Sequence, residues 1–234
     1  MAFQSAAPIM RWLLGLALLF GLVALGLRHL PPEWDPRRPL DLTAAPNALT
    51  GLKLRALQLQ PDLCPAAFTG SGLPFLPVPD RPADNGCAIE HAVRLTGPVR
   101  AMPANPVVTC PLAAAWTLFE RNTLQPEARQ LLGTEVTAIR HYGTYACRNV
   151  NHAQAGRRSQ HATANAIDIA GFVLRDGREV KLAGNWGGSG PESAFLHALR
   201  DGACRWFRGV LGPEYNAAHH DHFHLDMGPW RICR

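Results

Sequence analysis

The chain has 234 residues, of which 47% are hydrophobic and 18% charged, enough apolar material for one domain with a core or two small ones. Its 23 Lys and Arg outnumber its 18 Asp and Glu, which gives a formal net charge of +5. The basic residues form no Lys/Arg-rich run and do not alternate with aromatic residues, so we expect no nucleic-acid partner. The charge indicates at most a mild attraction to anionic membrane or cell-wall surfaces.

The N-terminus contains an apolar run with glycines over residues 12–27, preceded by an arginine. A membrane-spanning helix needs about 20 apolar residues, and the run reaches that length if it extends to Leu30 and Arg28 snorkels. Such a segment is typical of an uncleaved anchor or of a cleaved signal peptide. We therefore predict an anchor or signal peptide over residues 1–30, membrane contact through residues 12–30, and export of the remainder.

The next segment, residues 31–50, is rich in proline and charge. It predicts an extended spacer between the membrane segment and a domain over residues 51–234. Fully extended, such a spacer would reach at most about 60–70 Å.

The first predicted elements of the domain are a short helix or strand within residues 50–64 and a strand over residues 88–95. The first clear helix starts after Thr109, the predicted N-cap, with apolar residues at helical spacing behind it. Pro126 is predicted to start a second short helix, which Gly133 ends.

The C-terminal half alternates strand and helix signals and ends in a histidine-rich strand. The predicted elements are a strand over residues 134–141, an extended piece over residues 144–148, a hairpin of strands over residues 166–174 and 178–182, a helix over residues 191–211, and a strand over residues 222–227. The expected fold class is α+β, a small antiparallel sheet flanked by helices.

The six cysteines agree with export, because an even number in an oxidising compartment predicts three disulfides. No Cys-x-x-Cys pair occurs, so a zinc knuckle is not expected. Six cysteines allow fifteen pairings, and our prediction is Cys64–Cys87, Cys110–Cys147 and Cys204–Cys233.

Asp168 lies in an apolar strand between Ile167 and Ile169. Strand alternation places its side chain on the face opposite both isoleucines. If that face is inward, the carboxylate needs a cation or several hydrogen-bond donors, and if outward it is an ordinary exposed aspartate. His161 precedes this strand in a polar stretch.

The segment over residues 219–226 contains four histidines and two aspartates. His222 and His224 are two positions apart, so on a strand they point to the same side and could share one metal ion. As an isolated pair they could equally be surface histidines. The density of the cluster favours a site, and with His161 and Asp168 it suits one zinc ion with an open coordination position.

These motifs resemble a known group of zinc peptidases. Ser-x-His-x6-Asp followed by a late His-x-His is similar to D-Ala-D-Ala dipeptidases and carboxypeptidases, penicillin-insensitive murein endopeptidase, lysostaphin and the hedgehog signalling domain. The closer resemblance, over roughly residues 55–234, is to the bacterial extensin-like C-terminal domain family. It is carried by Thr109-Cys110-Pro111, Tyr145-x-Cys147-Arg148, Ser159-x-His161, Ala166-Ile167-Asp168-Ile169 and His219-x-Asp221-His222-Phe223-His224-Leu225-Asp226.

The resemblance implies a zinc site on the sheet, with His161, Asp168 and His224 as ligands. The other histidine of the pair, His222, would act beside the metal as general base or transition-state stabiliser. The dipeptidases have a glutamate base three residues before the last ligand. This chain has the shorter Asp221 there, which reaches the site only if the strand starts after it.

Arg148 corresponds to an arginine that stabilises the oxyanion in the dipeptidases, and the alternative is a surface ion pair. Tyr145 and Ser159 are candidate substrate-binding residues, although Tyr145 could simply pack and Ser159 could orient the first ligand. Asn165 and Trp186 are further candidates for the wall of the cleft.

The prediction is an exported zinc-dependent peptidase that hydrolyses an amide bond in peptidoglycan stem peptides or cross-links, of DD-endopeptidase or carboxypeptidase type. It would act on the periplasmic side of the inner membrane or be secreted to the periplasm. Zinc supplies hydroxide near neutral pH, and His222 or Asp221 would pass a proton to the leaving amine. The alternatives are a non-catalytic zinc-containing cell-wall-binding domain and a structural envelope protein without metal. Surface or structural roles are expected for the other histidines, His219 included.

Overall fold

The structure is a computed structural model that describes residues 7–234. Its first element, α1 (Ala7–Arg28), is a helix of 22 residues. Its stretch Met10–Arg28 is long and apolar enough to cross a membrane, with a mean hydropathy of 2.0, and none of it is buried against the rest of the chain. The predicted anchor or signal segment is therefore an exposed apolar helix.

The segment after α1 has one turn of 3-10 helix at Pro32–Trp34 and otherwise little regular structure. Its second half packs on the domain, because Leu40 and Leu42 are buried in the core. The Leu42 amide donates a hydrogen bond of 2.7 Å to Ser71 Oγ. This packing leaves a much shorter free connection than an extended spacer over residues 31–50.

Three helices form the first part of the domain: α2 (Thr50–Leu59), α3 (Cys64–Gly70) and α4 (Cys110–Phe119). Helix α4 is almost wholly buried and packs against both of the others. Thr109 occupies its N-cap position as predicted. The Thr109 hydroxyl does not cap the helix but donates a hydrogen bond of 2.6 Å to Asn165 Oδ1.

The prediction of a separate helix starting at Pro126 was wrong. The chain continues from α4 without a break through two wider π-helical turns, Glu120–Leu124 and Ala128–Leu132, on either side of the short α5 (Gln125–Glu127). Proline lacks the amide hydrogen for a regular helical bond, and the helix widens on both sides of the segment that contains Pro126. Gly133 ends the helical region as predicted, in the left-handed conformation with φ 70°.

The strands of the domain are β1 (Ala92–Arg94), β2 (Arg100–Met102), β3 (Val107–Thr109), β4 (Val136–Gly143), β5 (Ala166–Leu174), β6 (Glu179–Lys181), β7 (Gly209–Leu211), β8 (Phe223–Asp226) and β9 (Ile232–Cys233). Seven of them form a sheet at the centre of the domain, with the strand order β2-β4-β5-β8-β7-β9 and β6 paired to β5. Most pairs are antiparallel, whereas β2–β4 and β7–β9 are parallel. Strands β1 and β3 form a separate antiparallel pair. The α+β class is confirmed.

The predicted hairpin is confirmed as β5 and β6, and the predicted strand over residues 134–141 as β4. The strand predicted over residues 88–95 was too long, because its only regular strand is β1. Residues 144–148, predicted as an extended piece, form no regular strand. A short helix, α6 (Leu182–Asn185), follows the hairpin.

The helix predicted over residues 191–211 was also too long. Helix α7 (Pro191–Ala203) stops eight residues earlier, and β7 follows it. Phe207 and Val210 are buried as expected. They reach the core from a turn and a strand, because the sheet hydrogen-bonds β7 to β8.

The core lies on one face of β5, where Ile167 and Ile169 are almost fully buried. Phe172 continues this face and meets Phe195 of α7 edge-on, with ring centroids 5.5 Å apart. A buried aromatic or aliphatic side chain of this size contributes about 1.5–3 kcal/mol. Asp168 points to the other face, as strand alternation predicted.

All six cysteines form disulfides, with Cα separations of 5.5–6.2 Å. The pairs are Cys64–Cys110, Cys87–Cys147 and Cys204–Cys233, so only the last predicted pair was right. Cys64 and Cys110 begin the neighbouring helices α3 and α4, which makes them partners although Cys87 lies between them in the sequence. Three disulfides indicate an extracytoplasmic domain.

Candidate metal centre

His161 is held by a turn of 3-10 helix, Gln160–Thr163, immediately before β5. Ser159 caps this turn, and its Oγ accepts a hydrogen bond of 3.3 Å from the His161 amide. The turn ends at Ala164, which takes a left-handed conformation with φ 54°. The His161 side chain is thereby fixed in a buried position over the face of the sheet that carries Asp168.

Asp168 and His224 are direct partners in the antiparallel ladder between β5 and β8. Opposed residues of such a ladder present their side chains on the same face. His224 Nδ1 lies 2.9 Å from Asp168 Oδ1. The register of the sheet therefore brings two of the predicted ligands together.

His161 completes a triangle with this pair. Its Nε2 lies 3.1 Å from Asp168 Oδ2 and 3.1 Å from His224 Nδ1. Donor atoms of the three residues all lie within 4.8 Å of one another. With zinc–ligand bonds of about 2.0–2.1 Å, the edges of a tetrahedron are about 3.3–3.4 Å. The donor types and the small triangle thus suit a divalent ion such as Zn²⁺.

The partly buried Asp168 carboxylate also favours positive charge at this point, either protons on His161 and His224 or a metal cation that takes their place. His224 Nε2 lies 3.0 Å from Asp226 Oδ2, and a carboxylate only accepts, so Nε2 carries the proton. Burial alone would lower the pKa of His224, but Asp168 and Asp226 raise it to about 9. The hydrogen bonds from His161 and His224 outweigh burial and lower the pKa of Asp168 well below its usual range.

Asp221 and His222 form a second pair beside the triangle. His222 Nδ1 lies 2.9 Å from Asp221 Oδ1, so it donates, and Nε2 faces Asp168 Oδ1 at 3.6 Å. Tyr142 donates a hydrogen bond of 2.9 Å to the other oxygen of the Asp221 carboxylate, Oδ2. Partial burial opposes ionisation of Asp221, yet the bonds from His222 and Tyr142 lower its pKa.

Strand β8 starts at Phe223, after Asp221, so the condition for Asp221 to reach this face is met. Its carboxylate is nevertheless committed to His222 and Tyr142. The geometry gives Asp221 the role of orienting His222, and leaves His222 Nε2 facing the triangle as a proton acceptor.

His219 stands over both later histidines, with ring centroids 5.2 Å from His222 and 5.8 Å from His224. Its Nδ1 lies 2.7 Å from Asn216 Oδ1, which also accepts from the Ala218 amide. Burial, followed by the neighbouring histidines, lowers the pKa of His219 to about 4, so the ring is neutral at neutral pH.

A cavity of about 310 Å³ opens beside these groups. Asp168, His222 and His224 border it, and Arg148 and Ser159 lie in its wall. Backbone hydrogen bonds hold Arg148 there, because its carbonyl accepts from the Ser159 amide at 3.1 Å. No ion pair found within residues 7–234 includes Arg148, so its guanidinium is available to a ligand.

Three other candidates lie away from this cavity. Tyr145 donates a hydrogen bond of 3.2 Å to the Cys87 carbonyl, and the Arg81 guanidinium lies over its ring. Asn165 is bonded to Thr109 and Gln160 and borders a different cavity. Trp186 packs in the core against Phe223.

Sequence reasoning missed three members of the site: Asp226, His219 and Tyr142. Asp226 follows His224 by two positions in the same strand, so alternation could have placed it on the same face. His219 lies three residues after an asparagine that caps its turn, which is a weaker signal. Tyr142 reaches the site from β4 and has no local signal in the sequence.

A comparison with family models matches residues 62–234 to the extensin-like protein C-terminus. No significant match was found among curated proteins or among solved structures. The matched residues make up most of the chain and include the whole candidate metal centre. The chain therefore belongs to the extensin-like protein C-terminus family.

Proposed function

We propose that this protein is an exported zinc-dependent peptidase that hydrolyses an amide bond in peptidoglycan stem peptides or cross-links. The observation that carries the proposal is the triangle of His161 Nε2, Asp168 and His224 Nδ1, with two edges of 3.1 Å. It borders an open cavity, and a third histidine, His222, faces it without being part of it. A closed structural site would have a fourth protein ligand instead.

Metal binding, proton transfer and charge stabilisation are assigned to different residues of the chain. Bound Zn²⁺ would supply Lewis acidity and bring the pKa of a water molecule toward about 7. His222 Nε2 takes a proton from the attacking water and later gives it to the leaving amine. Asp221 keeps the His222 Nδ1–H oriented, at 2.9 Å. Arg148 places its positive charge near the carbonyl oxygen as that oxygen becomes negative.

The location of the protein and the chemistry of the site support this substrate class. The exposed apolar helix α1 and the three disulfides support an extracytoplasmic protein at a membrane. We place it on the periplasmic side of the inner membrane, where stem peptides are the abundant amide substrates. Residues between α1 and Leu40 connect membrane and domain.

The test is digestion of purified cross-linked and linear muropeptides by the full chain in an uncharged detergent, with added zinc, read out by mass spectrometry. His222→Ala should lower the cleavage rate at least about 100-fold, the usual contribution of general acid–base catalysis. The matched control is His220→Ala, because His220 is exposed and borders no part of the cavity. It should cleave like the wild type.

Metal analysis of the same samples separates the other functions. One bound zinc per chain with no cleavage of any muropeptide would replace the peptidase by a non-catalytic cell-wall-binding domain. No bound zinc and no change in stability on adding a chelator would indicate a structural envelope protein. Equal cleavage by the two variants would refute the role of His222.

A further inference from the structure

Four arginines converge on a second cavity that is separate from the candidate metal centre. Arg55 comes from α2, Arg205 and Arg208 from the turn between α7 and β7, and Arg231 from the segment before β9. All four border a cavity of about 170 Å³. They come from three separate segments of the chain, so they form no basic run in the sequence.

The positive charge of this cluster is not balanced. None of the ion pairs found in the described part of the chain includes any of the four arginines. Asp226, the carboxylate whose charge acts on Arg208, is engaged with His224 and with the Gly228 amide. Partial burial, then the charges of Arg55 and Arg231, lower the pKa of Arg208.

The guanidinium groups also keep unused hydrogen-bond donors. Arg208 Nε is buried and has no acceptor among residues 7–234. Its Nη2 donates to the Pro229 carbonyl at 2.8 Å, and Arg231 Nη2 donates to the Cys204 carbonyl at 3.1 Å. A guanidinium has five N–H donors, so most of these remain open to a ligand. A buried donor without an acceptor costs free energy, which a bound oxyanion would recover.

The cluster is held in place by rigid neighbours. Cys204 precedes Arg205 and is bonded to Cys233, two residues after Arg231. The Arg205 guanidinium lies over the Trp206 ring, 4.9 Å from its centroid. If these arginines served only to solubilise the surface, they would not need to face one shared cavity. Planar guanidinium groups held around a small cavity can donate paired hydrogen bonds to the oxygens of a phosphate group.

We propose that Arg55, Arg205, Arg208 and Arg231 form a binding site for a phosphate group, carried by an anionic lipid headgroup or by a free phosphate. The site is independent of zinc and of peptide cleavage. Calorimetric titration of the full chain in an uncharged detergent tests it with two probes. Inorganic phosphate represents the free anion, and glycerophosphoglycerol represents the phosphodiester headgroup of an anionic lipid.

We expect saturable binding of at least one probe, and preference for one of them identifies the source of the phosphate. The double variant Arg55→Gln/Arg231→Gln should weaken that binding at least tenfold. The charge-matched control is Arg129→Gln/Arg175→Gln, since both arginines pair with Glu135 away from the cavity. The control should bind like the wild type. Absence of saturable binding of both probes, or equal weakening in the two double variants, would overturn the proposal.

Discussion

The buried carboxyl group of Glu120 predicts how the stability of the protein depends on pH. Its side chain is buried in the first wide turn after α4, and Oε2 accepts a hydrogen bond of 3.2 Å from Trp116 Nε1. Burial raises its pKa from 4.5 to about 7, and the bond from Trp116 only partly opposes this. The folded protein therefore holds a proton on Glu120 over a pH range in which the unfolded chain has released it.

The sign of the pH dependence follows from linkage. Stability falls with rising pH wherever the folded state binds more protons than the unfolded state. Each unit of pKa shift corresponds to about 1.4 kcal/mol, so a rise from 4.5 to about 7 corresponds to about 3 kcal/mol. This stability is present below pH 4.5, is lost progressively between the two pKa values, and is absent above about pH 7.

Glu120→Gln resembles the protonated side chain and keeps an acceptor for Trp116. We expect its free energy of unfolding, relative to the wild type, to improve by about 3 kcal/mol between pH 4.5 and pH 8. Urea denaturation of the full chain at a series of pH values measures this difference and cancels the titration of the other groups. A difference that stays constant over this range, or one that changes in the opposite direction, would refute the reasoning.

Three further predictions concern the metal centre and the disulfides. Asp226→Asn should weaken zinc binding about 10–100-fold, because His224 loses its carboxylate partner; competition with a chromophoric chelator measures this, and unchanged affinity would contradict it. Gly209→Ala would place a Cβ 2.1 Å from Asp226 Oδ2. It should destabilise the fold by about 1–3 kcal/mol in thermal unfolding, whereas Gly187→Ala, whose Cβ meets nothing within 4 Å, should not. The double variant Cys87→Ser/Cys147→Ser removes the disulfide that links two residues 60 positions apart. It should cost about 4 kcal/mol in urea denaturation, and a loss below about 1 kcal/mol would show that the entropy estimate fails here.

The sequence was sufficient to predict the elements whose pattern is local. Strand alternation placed Asp168 opposite the isoleucines, and the turn after residue 174 marked the hairpin of β5 and β6. Thr109 and Gly133 marked where the helical region begins and ends. Each of these signals lies within a few residues of the feature that it predicts.

Features that depend on tertiary contacts were not predictable in this way. Phe207 and Val210 continue the apolar spacing of α7, yet they belong to the turn and strand that pair with β8. The pairing of Cys64 with Cys110 depends on α3 lying beside α4. Tyr142 joins the site only because β4 lies beside β5. In each case the deciding contact joins residues far apart in the sequence.

The direct pairing of Asp168 with His224 limits where insertions and deletions are compatible with the candidate metal centre. A single inserted or deleted residue within β5 or β8 would turn one ligand to the opposite face of the sheet. The long connection between the two strands is not under this constraint, since the ladder alone aligns its ends. Natural variants should therefore differ in length in the loops between β5 and β8, outside β6, α7 and β7, and keep constant length within residues 161–169 and 222–226.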